Sequence, residues 1–332
     1  MMRPSRRCAA SSPGWAWPDR SRSVGRRALP PMRPRRSLSE VTGPDVREWV
    51  SINGLLMPAD QARVSVFDSG FMQGVGLFET MRAYHGRVFR LAQHVQRLAR
   101  SAQALRWTVP PDVGRMTTCV EQVVGATEQA DARVRLTVTT GTLRPTDQEQ
   151  PELTIVASAT PGMQYPPETY AKGVTVVLSS CRQNPFDPTT GHKTTSYFAR
   201  LAALREAHAR GAFEALWFTR EGRLAEGSIS SVFAVHDHKL ITPPLDTPIL
   251  PGITRAAVLE LAGRLGIAAG EQAMTVDDLL AADECFLTNS MIELVPVVRL
   301  EREPIGAEKP GELTQRLAQA YRDLVRQECG DE

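Results

Sequence analysis

The chain has 332 residues, 42% of them hydrophobic and 23% charged, which is enough for two globular domains with buried cores and carries no sign of global disorder. No apolar run approaches the roughly 18 residues that a membrane-spanning helix needs, and no charged stretch leads into a long apolar one, so neither a membrane role nor a secretory signal is expected. The formal net charge of +2 hides an asymmetry: residues 1–40 hold ten arginines and no lysine against Asp19 and Glu40, leaving 29 basic and 35 acidic residues in the remainder.

A segment rich in arginine, serine and proline and poor in acids cannot form a core. Residues 1–44 therefore read as a disordered tail or a targeting peptide, with Met32 as an alternative start. The folded remainder offers no basic counterpart, so no nucleic-acid partner is expected. The five cysteines (Cys8, Cys119, Cys181, Cys285, Cys329) are scattered and never spaced C-x-x-C. That argues against a disulfide framework or a zinc site and for a reducing, cytoplasmic setting. His236 and His238 lie in a polar H-D-H-K turn that reads as a hairpin tip, and no metal is assigned.

Order begins near Val46, where an apolar strand precedes the turn dipeptide Asn53-Gly54. L-F-E-T-M-R-A-Y, the turn His85-Gly86 and R-V-F-R-L read as a second strand pair. Leu91, Val95, Leu98, Ala102 and Leu105 then repeat at helical spacing, and Thr117 to Gln129 suggest another helix. Two β-branched runs, 133–140 and 152–159, complete an N-terminal α+β domain over residues 45–160. The proline-rich stretch 161–170 reads as a linker to a second domain, 171–328. That half opens with the strand G-V-T-V-V-L and passes through G-H-K-T-T-S-Y into an alanine-rich helix at about 196–210. Several strands follow, then a helix opened by L-P-G-I-T-R, two more strands and a closing helix at about 310–327.

Only four lysines occur. Lys172, Lys239 and Lys309 sit in turn or linker contexts that predict solvation, whereas Lys193 stands where an irregular loop meets a helix and can project into a cleft. The backbone N–H groups at Ile253 and Thr254, at a helix start after Pro-Gly, suit an anion. The G-x-G in Q-G-V-G-L-F-E lacks a third glycine and precedes a strand, so a dinucleotide fold is rejected.

G-H-K-T-T-S-Y followed by R-L-A-E-G-S-I-S-S-V-F resembles the class IV aminotransferases. With F-M-Q-G-V-G-L-F-E-T-M-R, H-V-Q-R-L, L-P-G-I-T-R and T-N-S-M, the likeness covers about residues 48–300. It implies a two-domain α+β and α/β protein of fold type IV, D-amino-acid aminotransferase-like, that uses pyridoxal 5'-phosphate, works as a homodimer and takes a small amino-acid-like substrate. By the same resemblance Lys193 carries the cofactor covalently and Glu226 hydrogen-bonds the ring nitrogen. Arg97, Ile253 and Thr254 hold the phosphate, Asn289 and Ser290 line the phosphate and substrate carboxylate, and Tyr197 donates to the phenolic oxygen. In isolation Arg97 reads as a solvated helix arginine and Tyr197 as core packing.

Within the family, the R-x-H pair expected of D-amino-acid enzymes is absent, since Leu136 and Thr137 follow Arg135. T-N-S-M-I-E-L-V-P-V resembles 4-amino-4-deoxychorismate lyase more than the branched-chain enzymes, which carry a T-G-T-A-like loop. The expected activity is therefore that lyase, giving 4-aminobenzoate and pyruvate. A branched-chain or other amino-acid aminotransferase with 2-oxoglutarate as acceptor is the alternative, and a non-catalytic ligand-binding protein on the same scaffold a lesser one.

Overall fold

A computed structural model of the chain describes residues 48–142 and 152–330; the arginine-rich segment 1–44, with Cys8 and Met32, lies outside them. Asn53 and Gly54 take the positive φ values of 51° and 91° that a two-residue hairpin needs, joining β1 (Trp49–Ile52) to β2 (Leu55–Pro58). A short helix α1 (Ser69–Gln73) leads into β3 (Gly76–Tyr84). Only two residues of the expected return strand pair, as β4 (Arg87–Val88), because the chain turns at Arg90 into α2 (Leu91–Ala104). The next helix, α3 (Val113–Ala126), starts earlier than its apolar spacing suggests, since the Asp112 side chain caps it by accepting from the Arg115 amide.

With β5 (Asp131–Thr139) and β6 (Thr154–Pro161) the first half makes an antiparallel sheet in the order β2-β1-β6-β5-β3-β4. Strand alternation divides its faces. Ala132, Val134, Leu136 and Val138 are buried in one cluster with Val95 and Leu98 of α2 and Val120 and Val123 of α3. Arg133 and Arg135 take the opposite face, and because Arg82 lies opposite Arg133 and Thr80 opposite Arg135, Phe78, Thr80 and Arg82 of β3 share it.

The segment expected to be a plain linker contains a helix, α4 (Pro167–Lys172), opened by Pro167 in the position where its missing N–H costs nothing. Beyond it, β7 (Val174–Gln183) leads through α5 (Phe198–Ala209) to β8 (Glu214–Thr219), which lies parallel to β7. Next come β9 (Leu224–Gly227), β10 (Ser231–His236) and β11 (Lys239–Thr242), then α6 (Ile253–Arg264), β12 (Ala269–Glu271) and α7 (Val276–Leu280). β13 (Glu284–Asn289), β14 (Glu293–Leu300), β15 (Glu303–Pro304) and α8 (Glu312–Cys329) close the chain. The second sheet runs β12-β11-β10-β13-β14-β7-β8-β9, with β15 beside β14. Phe233 and Phe286, stacked 5.0 Å apart, pack under α6 and α8, while Val232 and Leu287 turn to the other face with Leu279 of α7. Among the described residues no helix is long and apolar enough to cross a membrane.

Two features join the halves. The loop before α5 pairs with the start of β3: the Phe78 amide donates to the Lys193 carbonyl at 2.8 Å and the Thr195 amide to the Gly76 carbonyl at 2.9 Å. Glycine is favoured at position 76, because a Cβ there would lie 2.9 Å from Thr195 Oγ1 and 3.1 Å from the Val138 carbonyl oxygen. At the other end of β3, Arg82 grips Asp131 through Nε and Nη2 and donates from Nη1 to Glu293 at 3.1 Å and to the Met291 carbonyl. Tyr84 donates to the same Glu293 carboxylate at 2.9 Å.

Arg82→Ala leaves two partly buried carboxylates facing each other without their cation. It is expected to cost about 2 kcal/mol of stability in urea unfolding, with Arg82→Lys intermediate.

Candidate functional site

One cavity of about 460 Å³ lies between the polar face of the first sheet and the β9, β10 and α6 end of the second. Lys193, Tyr197, Arg97 and Glu226 all line it, as do Ile253, Thr254, Asn289 and Ser290, so every residue singled out from the sequence is brought to one place. Lys172, Lys239 and Lys309 are exposed.

Backbone pairing with β3 sets Lys193, and its Nζ lies 4.6 Å from the centre of the Phe78 ring and 5.6 Å from that of Tyr197. Burial, reinforced by the Arg97 cation, pulls its amine down to about 8, so its neutral form is far easier to reach than that of a solvated lysine. Tyr197 packs edge-on against Phe78, and its hydroxyl donates to the Ser228 carbonyl at 3.1 Å. Burial raises that hydroxyl to about 12, which keeps it protonated and a donor.

Arg97 is buried, contrary to its reading in isolation. Its Nε and Nη2 grip Glu79 at 2.8 and 2.5 Å, and Nη1 donates to the Pro251 carbonyl at 2.9 Å, which holds the guanidinium against the start of α6. Glu79 also accepts from Nδ1 of His94 at 2.8 Å; a carboxylate has no hydrogen to give, so the nitrogen donates. Burial alone would push Glu79 up, but Arg97 and His94 together bring it to about 2, while burial lowers His94 and keeps it neutral.

α6 starts at Gly252 with no side-chain cap, leaving the Ile253 and Thr254 amides without an intrahelical partner in two residues that line the cavity. A Cβ at Gly252 would come within 2.7 Å of Ser231 Oγ. Two buried atoms on this wall, Thr288 Oγ1 and Arg255 Nε, have no hydrogen-bond partner among the described residues. Uncapped amides, a glycine cradle, unpartnered donors and an adjacent arginine suit a bound phosphate. Asn289 serves the turn instead: its Oδ1 accepts from the Met291 and Ile292 amides and its Nδ2 donates to the Ile229 carbonyl, leaving Ser290 beside it with the freer side chain.

Glu226 is buried, one oxygen accepting from the Leu250 amide at 3.0 Å and the other from Arg200 at 2.5 Å. Behind it lies a second carboxylate, Glu214, fully buried, accepting from the Ser228 and Ala215 amides and from the Ser230 hydroxyl. Burial pushes Glu214 up to about 7.

Six residues of this arrangement escaped the sequence reading as site residues: Glu79, His94, Arg133, Arg135, Arg200 and Glu214. Arg133 and Arg135 line the cavity, and no carboxylate pairs with either among the described residues. Arg135 lies over Phe78 at 3.6 Å, and burial with the neighbouring Arg133 charge lowers it to about 10. Their signal was charge alternating with valine and leucine in one strand; that of His94 and Arg97 was polar residues placed three apart along an otherwise apolar helix stripe.

Comparison with known proteins places this geometry. The family model for amino-transferase class IV matches residues 76–300, and the chain belongs to that family. A protein of Methanocaldococcus jannaschii, provisionally named as a branched-chain-amino-acid aminotransferase, is 34% identical over 280 residues, 83% of this chain and 96% of its own. The aminodeoxychorismate lyase of Bacillus subtilis is 30% identical over 281 residues, 83% of this chain and 94% of its own. The branched-chain amino acid aminotransferase of Thermobaculum terrenum, solved in its PLP-containing holo form, superposes with a TM-score of 0.76 at 26% identity, covering 86% of this chain and 96% of that one.

The raised Glu214 gives a pH test. A carboxyl whose folded value exceeds the ordinary 4.5 contributes stability that is complete below that value and is lost as pH rises through about 7. Glu214→Gln lacks this loss, so between pH 5 and pH 8.5 its stability relative to wild type should improve by ~2 kcal/mol in denaturant melts. A constant difference across that range counts against a buried, titrating Glu214.

Proposed function

We propose that the protein is a pyridoxal 5'-phosphate-dependent aminotransferase that accepts an amino acid with an apolar, branched-chain-like side chain and uses a 2-oxo dicarboxylic acid such as 2-oxoglutarate as acceptor. The observation that carries this is the pair Arg133 and Arg135, without carboxylate partners among the described residues, in the cavity that holds Lys193. Phe78, Leu201, Ile229 and Met291 give the same cavity apolar walls. Guanidinium groups grip carboxylates through parallel hydrogen bonds, and apolar walls favour an aliphatic side chain. The sequence ranks the lyase first; the relatives reverse that order, since branched-chain aminotransferases recur among them and among the solved structures.

The residues fit the cofactor as follows. Arg97, the Ile253 and Thr254 amides and Ser290 would hold its phosphate, Lys193 its aldehyde carbon and Glu226 its ring nitrogen, with Tyr197 near the phenolic oxygen. Pyridoxal phosphate, when bound, supplies a ring that takes up the electrons freed at the substrate α-carbon. Lys193, with its lowered proton affinity, can accept the α-proton in its neutral form and return it. Phe78 and Tyr197 exclude water around the amine. Arg135 and Arg133 orient the substrate carboxylates, and the Glu79–His94–Arg97 cluster fixes the guanidinium that faces the phosphate end. A homodimer, as the resemblance implies, in the reducing, cytoplasmic setting that the scattered cysteines suggest, is part of this proposal.

The lyase stays as a second reading on one observation, the T-N-S-M turn at the cavity edge, together with the Bacillus subtilis relative. A substrate panel separates the two: amino transfer from leucine, isoleucine or valine to 2-oxoglutarate is expected, and pyruvate release from aminodeoxychorismate without amino transfer would reverse the assignment. Lys193→Ala should abolish turnover and leave the protein without a borohydride-reducible adduct at that position. Arg97→Ala should mainly weaken cofactor retention. Arg135→Ala should raise KM for 2-oxoglutarate by about tenfold or more while the cofactor stays bound; an unchanged KM removes Arg135 from substrate recognition.

A further inference from the structure

We propose that Arg200 is a positioning residue for Glu226, clamping its carboxylate in the orientation that meets the cofactor ring; the inference rests on the cofactor reading above. Arg200 lies in the first turn of α5, and its guanidinium reaches back over the end of β9. Its Nη2 donates to Glu226 Oε1 at 2.5 Å, and its Nη1 to the Gly227 and Ser228 carbonyls at 3.2 and 3.3 Å. The Trp217 ring supports it at 5.4 Å. Burial works against the charge, yet the Glu226 carboxylate opposite holds the guanidinium more firmly protonated than usual.

The geometry distinguishes a clamp from a casual ion pair. One Glu226 oxygen is fixed by Arg200 and the other by the Leu250 amide, so the carboxylate is held from two elements at once. A carboxylate accepts about four hydrogen bonds, so lone pairs remain for a group in the cavity. The same guanidinium ties Glu226 to Gly227 and Ser228, whose turn also takes the Tyr197 hydroxyl. Arg200 therefore sets two groups that face the ring, one directly and one through a shared carbonyl. The charged groups around it are Glu226 of β9 and Glu214 of β8, with Lys193, Arg97, Arg135 and Glu79 gathered around the cavity. A merely structural role, stitching α5 to β9, would act on folding and not on the ring.

The test is a double-mutant cycle on the purified full-length protein, using pyridoxal phosphate as probe. It reads the cofactor dissociation constant, the visible absorption band of the holoenzyme and the melting temperature of the cofactor-free protein. Arg200→Gln should weaken cofactor binding about tenfold and move the visible band, and Arg200→Lys should recover most of the affinity. In a Glu226→Gln background, Arg200→Gln should add less than about threefold, because the residue it positions has lost its charge. The proposal is overturned if Arg200→Gln keeps wild-type affinity and spectrum, or if its loss is undiminished in the Glu226→Gln background. It is equally overturned if Arg200→Lys and Arg200→Gln lose affinity alike in step with a lower melting temperature. Should Arg200→Gln fail to accumulate as folded protein, the cycle between Arg200→Lys and Glu226→Gln decides by the same criterion. A colourless wild-type protein with no reducible adduct at Lys193 would instead defeat the cofactor reading itself, and is recognised before any variant is made.

Discussion

Two backbone hydrogen bonds, from the Phe78 amide to the Lys193 carbonyl and from the Thr195 amide to the Gly76 carbonyl, hold the site together. They graft a loop of the second half onto the first strand residues of β3, so that a lysine carried by that loop faces an aromatic ring carried by the first sheet. Backbone pairing fixes position to a few tenths of an ångström, which a flexible lysine on a free loop could not achieve. The neighbouring residues of β3 then serve opposite faces: Phe78 turns toward the cavity and Glu79 toward α2, where it secures Arg97.

The electrostatics follow from one shared anion. Glu79 is held ionised by two partners at once, and Arg97 is thereby anchored where its remaining N–H groups face the start of α6. Lys193 faces an excess of positive charge, from Arg97, Arg200 and Arg135, against Glu79 alone among the groups that act on it most, which adds to burial in loosening its proton. An amine whose proton is loosened by burial and by surrounding cations is the condition that nucleophilic lysine chemistry needs, and no single residue creates it.

Much of this was legible in the sequence, and the limits have physical causes. Lys193 stood apart because turn chemistry marks the other three lysines as solvated, and all three are exposed, but its role came from the family resemblance, not from elimination. The Asn53-Gly54 and His85-Gly86 turns, the helix opened by Pro251-Gly252 and the closing helix each carry local signals that packing did not override. Arg97 was misjudged in isolation because periodicity tells which way a side chain points but not what lies across the gap; its partner, Glu79, sits in another element. For the same reason Arg200 and Glu214 gave no warning: an arginine in an alanine-rich helix and a glutamate beginning a strand look ordinary until the fold sets Glu226 between them. Asn289, expected to face the phosphate and substrate carboxylate, lines the cavity, but its amide is spent on its own turn and on the Ile229 carbonyl.

The tight contact at Gly76 has a bearing on how this sequence can drift. A side chain there meets Thr195 on one side and the carbonyl of Val138 on the other, and only the first of these neighbours could shrink by substitution. Evolution can therefore relieve one contact by a smaller residue at 195, whereas the main-chain oxygen of Val138 can yield only by a small shift of the strand itself. The glycine is inherited as part of the lysine's address, although the two lie in different halves of the gene.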